Sequence, residues 1–182
     1  MGSERVISLH ARTTIRATVL ALLAVLATAG VAHARSIDVP VAMGTTLAQT
    51  RLDTPLAILL PSRMDFGYDK PVYATGGGDE RSYFLTLTTR LPCGANACFL
   101  ATFSAKRVTR KAGPHGNVRL RGGRSGVFDP RSCGGSCAPS SISWYSRGNR
   151  YEIDAVLADR SDDAQRRRLV AAANSAIGAG AR

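Results

Sequence analysis

From Ser82 onward the apolar positions fall on every second residue. Tyr83, Leu85 and Leu87 alternate with the more polar Thr86 and Thr88, and the same period returns in Phe99, Ala101, Phe103 and Ala105. A period of two is what a half-buried strand requires. The two runs flank a Pro-Cys-Gly-Ala-Asn-Ala-Cys loop, so they predict an antiparallel hairpin stapled at its tip. Residues 141–145 and 150–157 face each other in the same way across Ser146-Arg147-Gly148-Asn149, where Gly148 and Asn149 are expected to supply the positive φ of a tight turn. Tyr83, Phe103, Trp144 and Tyr151 lie on the inward side of these runs and are the expected core.

The period changes near the C-terminus. Leu169, Ala172, Ala173, Ala176 and Ile177 fall at i, i+3, i+4, i+7 and i+8, one apolar stripe of a helix. Ser161 or Asp162 can cap its start and Gly178 its end. Earlier in the chain, 54–61 is a short apolar run closed by prolines, suited to a buried strand or a wedge under the sheet. Residues 71–74 and 117–120 read as short strands, 76–79 as a flexible turn and 122–126 as a glycine-rich link. Residues 35–54 show little period and read as an N-terminal lead with an edge strand at 37–41. Strands first and one strong helix last imply an α+β fold: a largely antiparallel sheet of about five to seven strands with a C-terminal helix packed on one face. A single domain is expected over 55–182.

The segment before the lead belongs to a different class. Arg5, Arg12 and Arg16 precede an apolar run over 17–29 and an Ala32-His33-Ala34 ending. That is the layout of a secretory signal with cleavage after Ala34, the run being shorter than the roughly 20 residues of a membrane span. No cysteine stands at the cleavage point to take a lipid, so a periplasmic or extracellular protein without an integral anchor is expected. Losing residues 1–34 lowers the formal net charge only from +11 to +9. Such a balance suits an anionic envelope polymer or a lipid head group, a protein partner is also open, and nucleic acid is not expected. The charge is nearly all arginine spread along the chain; the one triple, Arg166-Arg167-Arg168, reads as a solvated helix face.

Four cysteines in an exported chain suggest disulfides. Cys93 with Cys98 and Cys133 with Cys137 each close a tight glycine-containing loop, and local pairing is expected. As a redox pair the second loop lacks the two-residue spacing and the helix N-terminus that such chemistry uses.

The stretch Ile142-Ser143-Trp144-Tyr145-Ser146-Arg147-Gly148-Asn149-Arg150-Tyr151-Glu152-Ile153, followed by a capped helix with Leu169 and Ala173-Asn174-Ser175-Ala176-Ile177, resembles the C-terminal part of small extracytoplasmic bacterial domains of unknown function, found in lipoproteins and regulator ectodomains. The resemblance covers the last third of the chain and departs from the lipoprotein members in lacking a lipidated cysteine. It implies a non-catalytic envelope domain and names no ligand.

Candidate chemistry is sparse. His115 is the one histidine left after Ala34, which excludes a multi-histidine metal site, and it sits in a turn-like Gly-Pro-His-Gly loop without a nucleophile elbow. Neither glycine cluster has the Gly-Lys-Ser/Thr ending of a phosphate loop. The sequence therefore favours a binding or accessory module without catalysis or cofactor. The competing reading is a small secreted hydrolase, a nuclease in the first place, in which His115 and Glu152, with Glu80 as a further carboxylate, do acid–base work and arginines such as Arg150 hold phosphate.

Overall fold

The computed structural model describes residues 36–69, 71–94, 96–109, 116–134, 136–159 and 161–182. The expected cleavage segment 1–34 and His115 lie outside them. Two helices, α1 (Val39–Asp53) and α2 (Asp162–Ala179), accompany strands β1 (Ile37–Asp38), β2 (Arg63–Met64), β3 (Tyr73–Gly78), β4 (Ser82–Thr88), β5 (Phe99–Arg107), β6 (Val118–Arg119), β7 (Ser125–Asp129), β8 (Ser132–Cys133), β9 (Cys137–Ala138), β10 (Ser140–Ser146) and β11 (Asn149–Ala155). Seven of these strands form one sheet in the order β3-β4-β5-β11-β10-β7-β6, with every neighbouring pair antiparallel. The fold is α+β, as the alternating runs imply.

Register explains the core. Leu85, Phe103, Ile153, Ile142 and Phe128 stand opposite one another across five adjacent strands, and Tyr83, Ala105, Tyr151 and Trp144 form the next row. All of these are buried, and Trp144 stacks on Tyr151 with ring centroids 5.6 Å apart. Because the side-chain period is two, the same register sends every intervening residue to the opposite face.

The N-terminal lead is a helix, not an edge strand; only Ile37–Asp38 is extended. Asp38 caps α1 by accepting the Val41 amide at 3.1 Å, Pro40 occupies the first turn, and Val39, Met43 and Leu47 are buried at intervals of four. Gly44, with φ of 46°, divides the helix in two. Helix α1 lies along edge strand β3, where Thr46 Oγ1 donates to the Ala74 carbonyl at 3.4 Å.

This close approach accounts for the glycines expected to form a turn: Gly76, Gly77 and Gly78 are strand residues. A Cβ on Gly76 would lie 2.7 Å from Leu85 Cδ2 and 2.8 Å from the Phe84 carbonyl oxygen on β4, and 3.0 Å from Thr46 Cγ2 on α1. We expect Gly76→Ala to lower stability by roughly 1 kcal/mol or more through overpacking, measured by urea denaturation; an unchanged midpoint would refute the tight packing of β4 and α1 around Gly76.

Residues 55–61 form the wedge of the two alternatives. Leu56, Ile58 and Leu60 are buried, the Leu59 amide donates to Tyr83 Oη at 3.1 Å, and the Arg182 amide donates to the Ile58 carbonyl at 3.0 Å. Helix α2 starts at the Ser161 cap and buries Leu169, Ala172, Ala173 and Ala176, with Ile177 half-buried. It runs through Gly178 and ends at Gly180, whose φ is 76°, so the expected stop falls two residues early. Arg168 departs from the solvated reading of its triple: it pairs with Asp65 at 2.8 Å and with Asp159, and the Arg168 bond lowers the Asp65 pKa below its ordinary range. The glycine-rich link also holds a strand, β7.

Candidate functional site

Both helices and the 55–61 wedge contribute to the core on one face of the sheet. Among the described residues no helix packs on the other face, which carries the alternate positions. One row across it reads Thr75, Thr86, Thr102, Asp154, Ser141 and Asp129; the next reads Gly77, Phe84, Ser104, Glu152, Ser143 and Val127. Hydroxyls therefore dominate these rows: Thr75, Thr86, Thr102 and Ser104 reach solvent at least in part, with the Thr86 and Thr102 Oγ1 atoms 2.8 Å apart, whereas Ser141 and Ser143 are buried.

Large apolar groups stand exposed at the β3–β4 side of this face. Tyr73 is 45% exposed and Phe84 and Leu91 are each 51% exposed. Beside them lies a hollow of about 340 Å³ lined by Thr75, Thr86, Thr88, Leu91 and Phe99 and bounded by the Cys93 loop. The expected local disulfides, Cys93–Cys98 and Cys133–Cys137, are both formed. They hold loops at the same end of the sheet, after β4 and after β7. Phe99 differs from its expected inward setting: a register shift at Leu87 and Thr88 pairs it with Thr88, and it turns to the hollow.

The central strand β11 places Arg150, Glu152 and Asp154 in line on the open face. Arg150 Nη2 lies 3.1 Å from Glu152 Oε2, so the two candidate catalytic groups neutralise each other. Burial foremost, and then the Glu152 charge, against the opposing Arg150, push the Asp154 carboxyl up from its ordinary 3.8 to about 6. With His115 outside the described residues, Glu152 and Arg150 are placed together on β11, while Glu80, the further carboxylate, lies exposed in the loop between β3 and β4. No group of three or more metal-ligating side chains occurs among the described residues. Trp144, Tyr151, Tyr83 and Phe103 belong to the core rather than to a stacking surface.

The opposite end of the sheet is basic. Arg81 precedes β4, Lys106 and Arg107 close β5, and Arg147 sits at the tip of the β10–β11 hairpin. Ser82, Lys106, Arg150 and Tyr145 form one register row, the Arg107 amide donates to the Arg81 carbonyl at 2.7 Å, and the Val108 amide donates to the Gly148 carbonyl at 3.0 Å. Asp79 is occupied by its own turn, accepting the Arg81 and Ser82 amides at 2.7 Å, and these bonds lower its pKa. The hairpin turn consists of Arg147 and Gly148, with φ of 50° and 79°; Asn149 already belongs to the strand. An arginine in the left-handed region costs roughly 1 kcal/mol, where Asn would serve better.

These features are not announced by any motif. Their signal is positional: the polar members of the alternating runs and the charges at their ends. No described helix is long and apolar enough to cross a membrane, and two disulfides fit an oxidising environment. Compared with protein-family models, with curated protein sequences and with solved structures, the chain matches none.

Proposed function

We propose that the chain is an exported, non-catalytic binding or accessory module of the bacterial cell envelope, and that its ligand surface is the helix-free face of the sheet. One observation carries the reading. Leu91 lines a hydroxyl-bearing hollow, and Tyr73 and Phe84 stand exposed on the same face, which no described helix covers. Apolar groups clustered beside fixed polar groups are the usual make-up of a recognition surface. The two disulfides and the signal-like N-terminal sequence support the location. On the hydrolase reading Glu152 would need to be available as an acid or base, and here it is held by Arg150.

The test is co-sedimentation of the purified protein with isolated cell-envelope fragments. The parent should pellet with them, and Tyr73→Ala/Phe84→Ala should bind at least about fivefold more weakly, as expected when central aromatic contacts are lost. Its melting temperature should stay within about 3 °C of the parent, because both rings are half exposed. Equal binding by parent and variant would overturn the surface assignment. RNA or ester hydrolysis by the parent that Glu152→Gln abolishes would replace the module with an enzyme.

A further inference from the structure

We infer that the basic strand-end rim formed by Arg81, Lys106, Arg107 and Arg147 binds a linear polyanion that carries phosphate groups. This goes beyond the helix-free face and stands independently of it. All four side chains are exposed, and no carboxylate among the described residues lies within 4.0 Å of any of them. Charges left without partners at one place are available to a ligand.

The arrangement selects the ligand's shape. The four groups are distributed across the adjoining strand ends of β4, β5 and the β10–β11 hairpin, where the alternation places Lys106 on the helix-free face and Arg107 on the helix-bearing face, so that the cations edge the sheet from both sides. Neighbouring strands lie about 4.8 Å apart, so the cations extend over roughly 15 Å rather than converging on one point. A small anion site needs convergent donors; a file of cations matches repeated charges along a chain. Guanidinium forks pair with phosphate oxygens two at a time, which favours arginine in three of the four positions.

A lipid surface fits less well. The loops that project there, Gly78-Asp79-Glu80-Arg81 and Ser146-Arg147-Gly148-Asn149, present no large apolar side chain to insert. Asp79, kept ionised by its own turn, and the exposed Glu80 stand beside Arg81 and offset part of its charge, so the net positive charge of the rim rests mainly on Lys106, Arg107 and Arg147. Arg147 keeps its place at the hairpin tip despite a backbone conformation better suited to Asn, which points to a use for its charge.

The probe is end-labelled long-chain inorganic polyphosphate, titrated with the full chain and followed by fluorescence anisotropy at several salt concentrations. Two variants of equal charge are compared. One is Arg81→Gln/Lys106→Gln/Arg147→Asn, with Asn chosen because the turn accepts it. The other is Arg90→Gln/Arg131→Gln/Arg167→Gln, exposed positions outside the rim, with Arg90 and Arg131 at the opposite, cysteine-loop end of the sheet. The rim variant should lose about tenfold or more in affinity and about two from the slope of log K against log salt. The control should lose less than about threefold. Equal losses would show that net charge alone acts and would overturn the proposal. So would failure of the parent to bind polyphosphate, whether or not it binds phosphatidylglycerol vesicles. Loss of binding by Tyr73→Ala/Phe84→Ala with the rim intact would transfer the site to the helix-free face and equally overturn it.

Discussion

Trp144→Ala should destabilise the domain by about 3–5 kcal/mol, the range for deleting a large aromatic from a core. Trp144 is 1% exposed and stands in the row Tyr83, Ala105, Tyr151, Trp144, with its ring stacked on Tyr151. Gly126 faces it from β7, so the neighbouring strand offers no side chain to fill the space. The indole Nε1 is buried without a partner, which slightly reduces the loss, because truncation also removes an unsatisfied donor. Urea denaturation should show a lower midpoint at unchanged slope. A change below about 0.5 kcal/mol would place the side chain outside the core.

Asp154→Asn should act in the other direction. A carboxyl whose folded pKa exceeds its unfolded value holds its proton more tightly in the native state. Its favourable contribution is therefore complete below the unfolded value of 3.8 and is lost as pH rises through about 6. The parent should weaken between about pH 4 and pH 6, while Asp154→Asn should remain level. Above pH 7 the variant should be more stable by about 2 kcal/mol, with allowance for partial solvent screening. Asp65 does not blur the comparison: its pKa is lowered, so its contribution is present above 3.8 and is lost only at more acid pH. Parallel stability profiles for parent and variant from pH 4 to pH 8 would falsify the desolvation of Asp154.

Much of the fold is legible where one force dominates. The period of two in 82–88 and 99–105 returns as β4 and β5, and the Leu169 stripe as α2, because one face of each element must be buried. Both cysteine loops close locally, as their short spacing allows. Helix α1 is hidden for a physical reason: its anchors Val39, Met43 and Leu47 are separated by Pro40, Ala42, a kinking Gly44 and two threonines, and the exposed Val41 blurs the apolar stripe. Gly76 reads as turn because glycine signals backbone freedom, whereas here its missing side chain admits Thr46. The candidate face was less visible still. Phe84 and Tyr73 carry no mark distinguishing an exposed ring from a buried one until register assigns their side of the sheet.

Helix α1 has one more effect, exerted on other molecules of the same kind. By running along β3 and engaging the Ala74 carbonyl, it occupies the flank where a foreign strand would dock. At the far border β6 contributes only two residues. The ladder is thus shielded at one margin and short at the other, which leaves little open backbone for a second copy to pair with.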